Sequence, residues 1–216
     1  GTRHLFNKTF SESKNSGALF SVIFCDVNKL KYIKDTYGHD CGDLIIQEVG
    51  QRLLSNLRSE DMVFRMGGDE FVMIVTETLS NTRIIANALL SVMKAPLTLP
   101  EHTLDITVSI GLASTEASGY DDVLKHADIA MYNAKDQGGN TLLCYSSKLY
   151  NKVTHRLFKE QALKNALKSN AIEAFFQPII SNNGTIIAIE ALCRWRSNDA
   201  GYILPSEFIE LAEETN

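Results

Sequence analysis

Met62-Val63-Phe64-Arg65-Met66-Gly67-Gly68-Asp69-Glu70-Phe71-Val72-Met73-Ile74-Val75 sets two glycines and two carboxylates between short apolar runs. Apolar segments joined by a Gly pair read as a β-hairpin, because glycine supplies the φ > 0 conformations of a tight turn. Asp69 and Glu70 are then expected at the turn. With no side chain at Gly67 or Gly68, a ligand can approach the backbone closely, and the carboxylates offer hard oxygen ligands to Mg²⁺. That combination suits a nucleoside triphosphate. An isolated Gly-Gly-Asp is more simply a solvated hairpin tip, so the surroundings decide.

Upstream, Leu19 to Cys25 is a continuous apolar run that reads as a buried strand, and Asp26 stands where it is expected to end. A carboxylate there is placed to share a metal with the hairpin. The following block, Asp26-Val27-Asn28-Lys29-Leu30-Lys31-Tyr32-Ile33-Lys34-Asp35-Thr36-Tyr37-Gly38-His39-Asp40-Cys41-Gly42-Asp43, resembles the one that precedes the hairpin in diguanylate cyclases. Ser109-Ile110-Gly111 and Ala127-Asp128-Ile129-Ala130-Met131-Tyr132-Asn133-Ala134-Lys135 follow in the family's order. The whole is similar to a GGDEF domain. The resemblance implies a polymerase-palm-like α+β fold and the joining of two GTP into cyclic di-GMP, with each domain of a homodimer holding one GTP.

The resemblance also implies site roles. Asp26, the Val27 carbonyl and Asp69 are expected to hold Mg²⁺ or Mn²⁺, and Glu70 either joins them or positions the attacking ribose. The reaction needs phosphate charge neutralised and a 3′-hydroxyl activated, with Asp69 or Glu70 taking the proton. The amides of Asn28, Lys29 and Leu30, at a helix start, are suited to terminal phosphates. Lys135 matches a triphosphate contact, although a lone Lys on a helix is usually solvated; His39 matches a pocket-wall position and Asp43 the guanine-reading carboxylate. Two residues depart from the family: Lys34 replaces a guanine-binding Asn, and Gly139 a basic phosphate contact. Lys34 donates but cannot accept as an amide does. Arg58 and Asp61 match an R-x-x-D product-inhibition pair, chemically suited to phosphate and a guanine edge.

A coarse pass predicts a strand at 19–25, a helix from 28, and a helix to Leu57 with Leu44, Ile45, Val49, Leu53, Leu54 and Leu57 inward. After the hairpin, Ser80 is expected to cap a helix packing Ile84, Ile85, Ala88, Leu89 and Val92, with Pro96 and Pro100 at its exit. A strand over Thr103 to Ala113, a helix from Asp121 or Asp122 to Gly138-Gly139, and a strand at 142–145 complete an α+β domain over 1–146. Residues 147–170 read as a connector helix with Leu149, Val153, Leu157, Leu163 and Leu167 on one side. Residues 171–216 resemble the opening of an EAL domain, the family that hydrolyses cyclic di-GMP. Gln177 and Arg194 match its product contacts and Glu190 its metal-binding glutamate. That piece is too short for the barrel, so no phosphodiesterase activity is expected of it, and its tail is expected to be poorly ordered or to borrow contacts.

The 216 residues are 44% hydrophobic and 22% charged, enough for a real core. A net charge of −5 disfavours nucleic-acid binding. The longest apolar runs fall far short of the roughly 20 residues of a bilayer span, so no membrane contact is expected. Cys25, Cys41, Cys144 and Cys193 form no C-x-x-C and suit a reducing, cytoplasmic compartment, with any membrane anchor lying upstream. The leading reading is a diguanylate cyclase with product feedback inhibition. The alternative is a catalytically weak GGDEF domain that binds GTP or cyclic di-GMP to regulate a downstream phosphodiesterase.

Overall fold

A computed structural model describes residues 2–99, 103–197 and 201–214. Pro100 lies outside them, as do the side chains of Val153 and Leu157. The chain divides into two compact units, Gly1–Asn151 and Lys152–Asn216.

The first unit runs α1 (Thr2–Asn15), β1 (Ser21–Val27), α2 (Leu30–Tyr37), α3 (His39–Ser55), β2 (Met62–Gly67), β3 (Glu70–Val75) and α4 (Leu79–Met93). It continues with β4 (Leu97–Thr98), β5 (Thr103–Leu104), β6 (Val108–Ser114), α5 (Thr115–Asp136), β7 (Leu142–Cys144) and the start of α6 (Ser147–Lys168). Five strands form a mixed sheet in the order β2-β3-β1-β6-β7, antiparallel except for the parallel β6–β7 pair. Every residue of β1 and β6 is buried, as central strands covered on both faces require.

Strand alternation sorts the core into two layers. Ile23, Cys25 and Val27 face Ile45, Val49, Leu53, Leu89 and Met93 of α3 and α4. Val22 and Phe24 face Phe6 of α1 and Val123, Ala127 and Met131 of α5. Even-numbered positions of β1 and β3 therefore point towards α5, and Asp26 and Glu70 have that parity.

The helix faces differ in detail from the sequence expectation. Leu44 and Leu54 are exposed while Cys41 and Ile46 are buried. On α4 the buried positions are Thr82, Ala86, Leu89 and Met93, and Ile84 is 69% exposed. Thr78, not Ser80, caps α4, its hydroxyl accepting from the Asn81 amide. The two face errors come from reading apolar residues as a stripe when tertiary contact picks the face. The strand expected at 103–113 is broken into β5 and β6, and α5 begins at Thr115, capped by Ser114, with Gly119 kinking it at φ 72°.

The second unit holds β8 (Ile172–Ile180), β9 (Ile186–Ser197), β10 (Gly201–Ile203), a 3₁₀ turn (Pro205–Glu207) and α7 (Ile209–Glu214). Its strands form an antiparallel sheet in the order β10-β9-β8, with a small core of Leu163, Ala166, Trp195 and Phe208. The described part of the tail, expected to be poorly ordered or to borrow contacts, is mostly paired strand, with β8 and β9 satisfying each other's backbone groups.

Gly111 fixes how closely α5 approaches the sheet. A Cβ there would stand 2.1 Å from both the Ala127 carbonyl oxygen and the Met131 nitrogen. These are backbone atoms of a helix and cannot rotate away. Gly111→Ala is expected to destabilise the first unit by about 3 kcal/mol, read as a lower urea midpoint by circular dichroism.

Candidate functional site

The Gly-Gly hairpin closes differently from the expectation. Gly67 pairs with Glu70, so the turn itself is Gly68-Asp69, and Glu70 begins β3. Gly68 takes φ 52°, which glycine adopts at the least cost. Arg65 braces the turn, its guanidinium donating to the Gly68 carbonyl at 2.8 and 3.3 Å. Asp26 is likewise inside β1 rather than beyond it, directly opposite Glu70 on one side and Ser109 on the other. The Val27 amide donates to the Asp69 carbonyl at 3.1 Å, tying the turn to the end of β1.

Asp26 is 4% exposed, and its Oδ1 accepts from the Lys135 ammonium at 2.7 Å. Lys135 comes from the last turn of α5. Burial pushes the Asp26 carboxyl above its usual range; Lys135 opposes the rise, and the charges of Asp69 and Asp128 add to it. Glu70 is raised by burial, then by Asp128, Asp26 and Asp69. Asp128 was not singled out as a site residue in the sequence. The available signal was its place seven residues before Lys135, two turns along the same face of one helix. Asp26, Asp69, Glu70 and Asp128 therefore make one negative field with Lys135 as its local counter-charge.

Among the described residues, no three His, Cys, Asp or Glu side chains converge as a ready metal cage. Mg²⁺ is commonly held by one or two carboxylates plus substrate phosphates. Asp26 and Glu70, adjacent across β1 and β3 where an ammonium already sits, fit that mode.

Around this centre, Asn28 is locked: its Nδ2 donates to Thr107 Oγ1 at 3.0 Å and its Oδ1 accepts from Ser109 at 2.7 Å. Its backbone amide donates to the Thr107 carbonyl, so the expected amide cradle narrows to Lys29 and Leu30. Lys29 holds φ 58° at the start of α2, where first-turn amides lack intrahelical acceptors. Gly139, at φ +73°, lies against Asn28, and a Cβ would meet Asn28 Nδ2 at 2.8 Å. A side chain there would have to push the Asn28 amide off Thr107 and Ser109.

Lys34 and Asp43 are bonded to each other, Nζ to Oδ1 at 3.0 Å. The Lys34 stem crosses Gly42, where a Cβ would stand 2.3 Å from Lys34 Cγ. His39 is exposed at the first position of α3. The R-x-x-D pair is also engaged: Arg58 donates to Glu77 at 2.6 Å, and Asp61, 7% exposed, accepts from the Arg58 backbone amide at 3.2 Å. Asp61 caps its own turn instead of facing solvent. In the second unit Gln177 and Glu190 are register partners on β8 and β9, whereas Arg194 lies opposite Glu173.

Residues 2–141 match the family model described as diguanylate cyclase, GGDEF domain. The chain belongs to the GGDEF family. Residues 160–216 of this GGDEF protein match an EAL domain model. It is 34% identical over 200 residues to MucR of Pseudomonas aeruginosa, a bifunctional diguanylate cyclase/cyclic di-GMP phosphodiesterase, covering 91% of this chain but 29% of MucR. The chain thus spans less than a third of that relative's length. Its fold is similar to the GGDEF domain of YfiN (TpbB) from the same organism, with TM-score 0.60, 28% identity, and 64% and 89% of the two chains covered. The GGDEF domain of DgcB from Caulobacter crescentus, solved with c-di-GMP, matches with TM-score 0.61 at 25% identity, covering 66% and 89%. No described helix is long and apolar enough to cross a membrane.

The raised Asp26 carboxyl has a stability consequence. A folded-state value above the unfolded one makes its contribution fully present below the unfolded pKa and lost as pH rises through the folded pKa. Asp26→Asn is therefore expected to be more stable than the unaltered chain at pH 7, the gap closing as pH falls through the carboxylate range in parallel urea titrations.

Proposed function

We propose that the GGDEF unit is a diguanylate cyclase module that condenses two GTP into cyclic di-GMP and releases pyrophosphate. The observation that carries this reading is the pairing of Asp26 with Glu70 across β1 and β3, on the face where Lys135 arrives from α5. Asp26, Asp69, Glu70 and the Val27 carbonyl would hold Mg²⁺ or Mn²⁺, which supplies charge neutralisation for the triphosphate when bound. Lys135 and the amides of Lys29 and Leu30 bind phosphate oxygens. Asp69 or Glu70 takes the 3′ proton, aided by the charge of the bound metal. Each GGDEF unit holds one GTP, so a homodimer brings the 3′-hydroxyl of one to the α-phosphorus of the other. The module acts in the cytoplasm, and residues 147–170 connect it to the EAL segment.

A second reading has a specific observation behind it. Asp43, which would read guanine, is occupied by Lys34. GTP must share or displace that ammonium, and a weakly turning GGDEF domain that regulates the EAL partner fits such a cost. Product inhibition through Arg58 and Asp61 carries a similar condition, since Glu77 holds Arg58 and Asp61 is buried.

Cyclic di-GMP formation from GTP and Mg²⁺ tests the first reading. Glu70→Gln is expected to lower the rate by at least about a hundredfold without loss of GTP binding. Lys34→Asn, which frees Asp43, is expected to lower KM for GTP by about tenfold. If the unaltered chain binds GTP without turnover and Lys34→Asn restores it, the regulatory reading holds. For the Arg58 site, Glu77→Gln is expected to tighten cyclic di-GMP binding by calorimetry.

A further inference from the structure

Among the described ion pairs, Asp26 is the most buried carboxylate. Its side chain is 5% exposed, against 20% or more for the acidic partners of the others. The two partners of this pair are unequal in freedom. Asp26 is held in the middle of the sheet between β3 and β6, whereas the Lys135 side chain is 44% exposed on the end of a helix. Lys135 can swing out; Asp26 cannot follow. A buried carboxylate left alone pays the desolvation penalty without compensation, so Lys135 leaves readily only when another cation takes its place. A bare divalent cation arriving at Asp26 must break the 2.7 Å contact with the ammonium and brings no anion to receive it. A cation carrying a polyphosphate brings that anion with it.

We propose that Lys135 makes cation binding and polyphosphate binding at Asp26 conditional on each other. The ammonium guards the carboxylate against the bare cation and transfers to a phosphate oxygen when the cation–polyphosphate complex enters. This rests on Asp26 being a cation ligand, as in the function proposed above. Such a coupling is reciprocal: whatever factor the polyphosphate gives the cation, the cation gives the polyphosphate. It also explains why the site needs no closed protein cage, since selectivity for the complex comes from one displaceable side chain.

The test is Mn²⁺ binding to the whole chain, followed by electron paramagnetic resonance, with Mn²⁺ alone and with its inorganic tripolyphosphate complex. Lys135→Met is expected to bind Mn²⁺ alone about tenfold tighter than the unaltered chain, and the tripolyphosphate complex more weakly. Equal affinity of the two chains for Mn²⁺ alone overturns the proposal. A second arm needs no substitution: in the unaltered chain the complex must bind more tightly than Mn²⁺ and tripolyphosphate, measured separately, account for together. Simple additivity there also overturns it. Asp26→Asn in the Lys135→Met background separates the two levels of the argument. Loss of the Mn²⁺ site supports both, and its retention removes Asp26 as the ligand and the proposal with it.

Discussion

A charged carboxylate in the middle of a sheet calls for a counter-charge, and Asp26 finds its partner across the layer in Lys135 of α5. Asp26 has the strand parity that points it at α5, and α5 lies close enough to the sheet for Lys135 to reach it because β6 carries Gly111 at the crossing. The same parity brings Glu70 beside Asp26, and the same closeness brings Asp128 into their field. Packing and chemistry are thus one constraint here. A bulkier residue at 111 would lift the helix and leave the carboxylate unpaired.

The site is built on strand residues, with Lys135 at its margin and the Arg58–Glu77 pair at the other end of β1. Asp26 and Glu70 are strand residues with backbone partners on both sides or at a sheet junction, so their separation is set by strand spacing. Lys34, Arg58 and Lys135 are long side chains that each close on a nearby carboxylate. These pairs differ in kind. Lys34–Asp43 and Arg58–Glu77 each have one exposed partner, where water screens part of the attraction. Lys135–Asp26 is buried on one side, and its opening demands a replacement charge.

Gly139 and Asn28 illustrate how a departure from a family pattern can be locally consistent. Asn28 fills the space beside a left-handed backbone position and is held by Thr107 and Ser109. With that amide in place, a side chain at 139 would have to displace it and adopt a left-handed backbone. Lys34 is consistent in the same sense: Gly42 gives its stem a path, and Asp43 gives its ammonium an end point.

The sequence by itself determined the hairpin, the buried run that becomes β1, the α+β class and the family, because Gly pairs, continuous apolar runs and ordered motifs are local signals. It also brought Asp26, Asp69, Glu70 and Lys135 to attention. What it could not give was who touches whom. That Glu70 lies in the sheet and not on the turn follows from a one-residue choice of register, invisible in composition. That Lys34 neutralises Asp43, Glu77 holds Arg58, and Asp61 turns inward are contacts set by side-chain reach between separate elements. The inward faces of α3 and α4 were misread for the same reason, since an apolar residue such as Ile84 is exposed when the sheet lies elsewhere. Tertiary structure alone decided these points, because burial and charge pairing depend on distances between parts of the chain that sequence order does not encode.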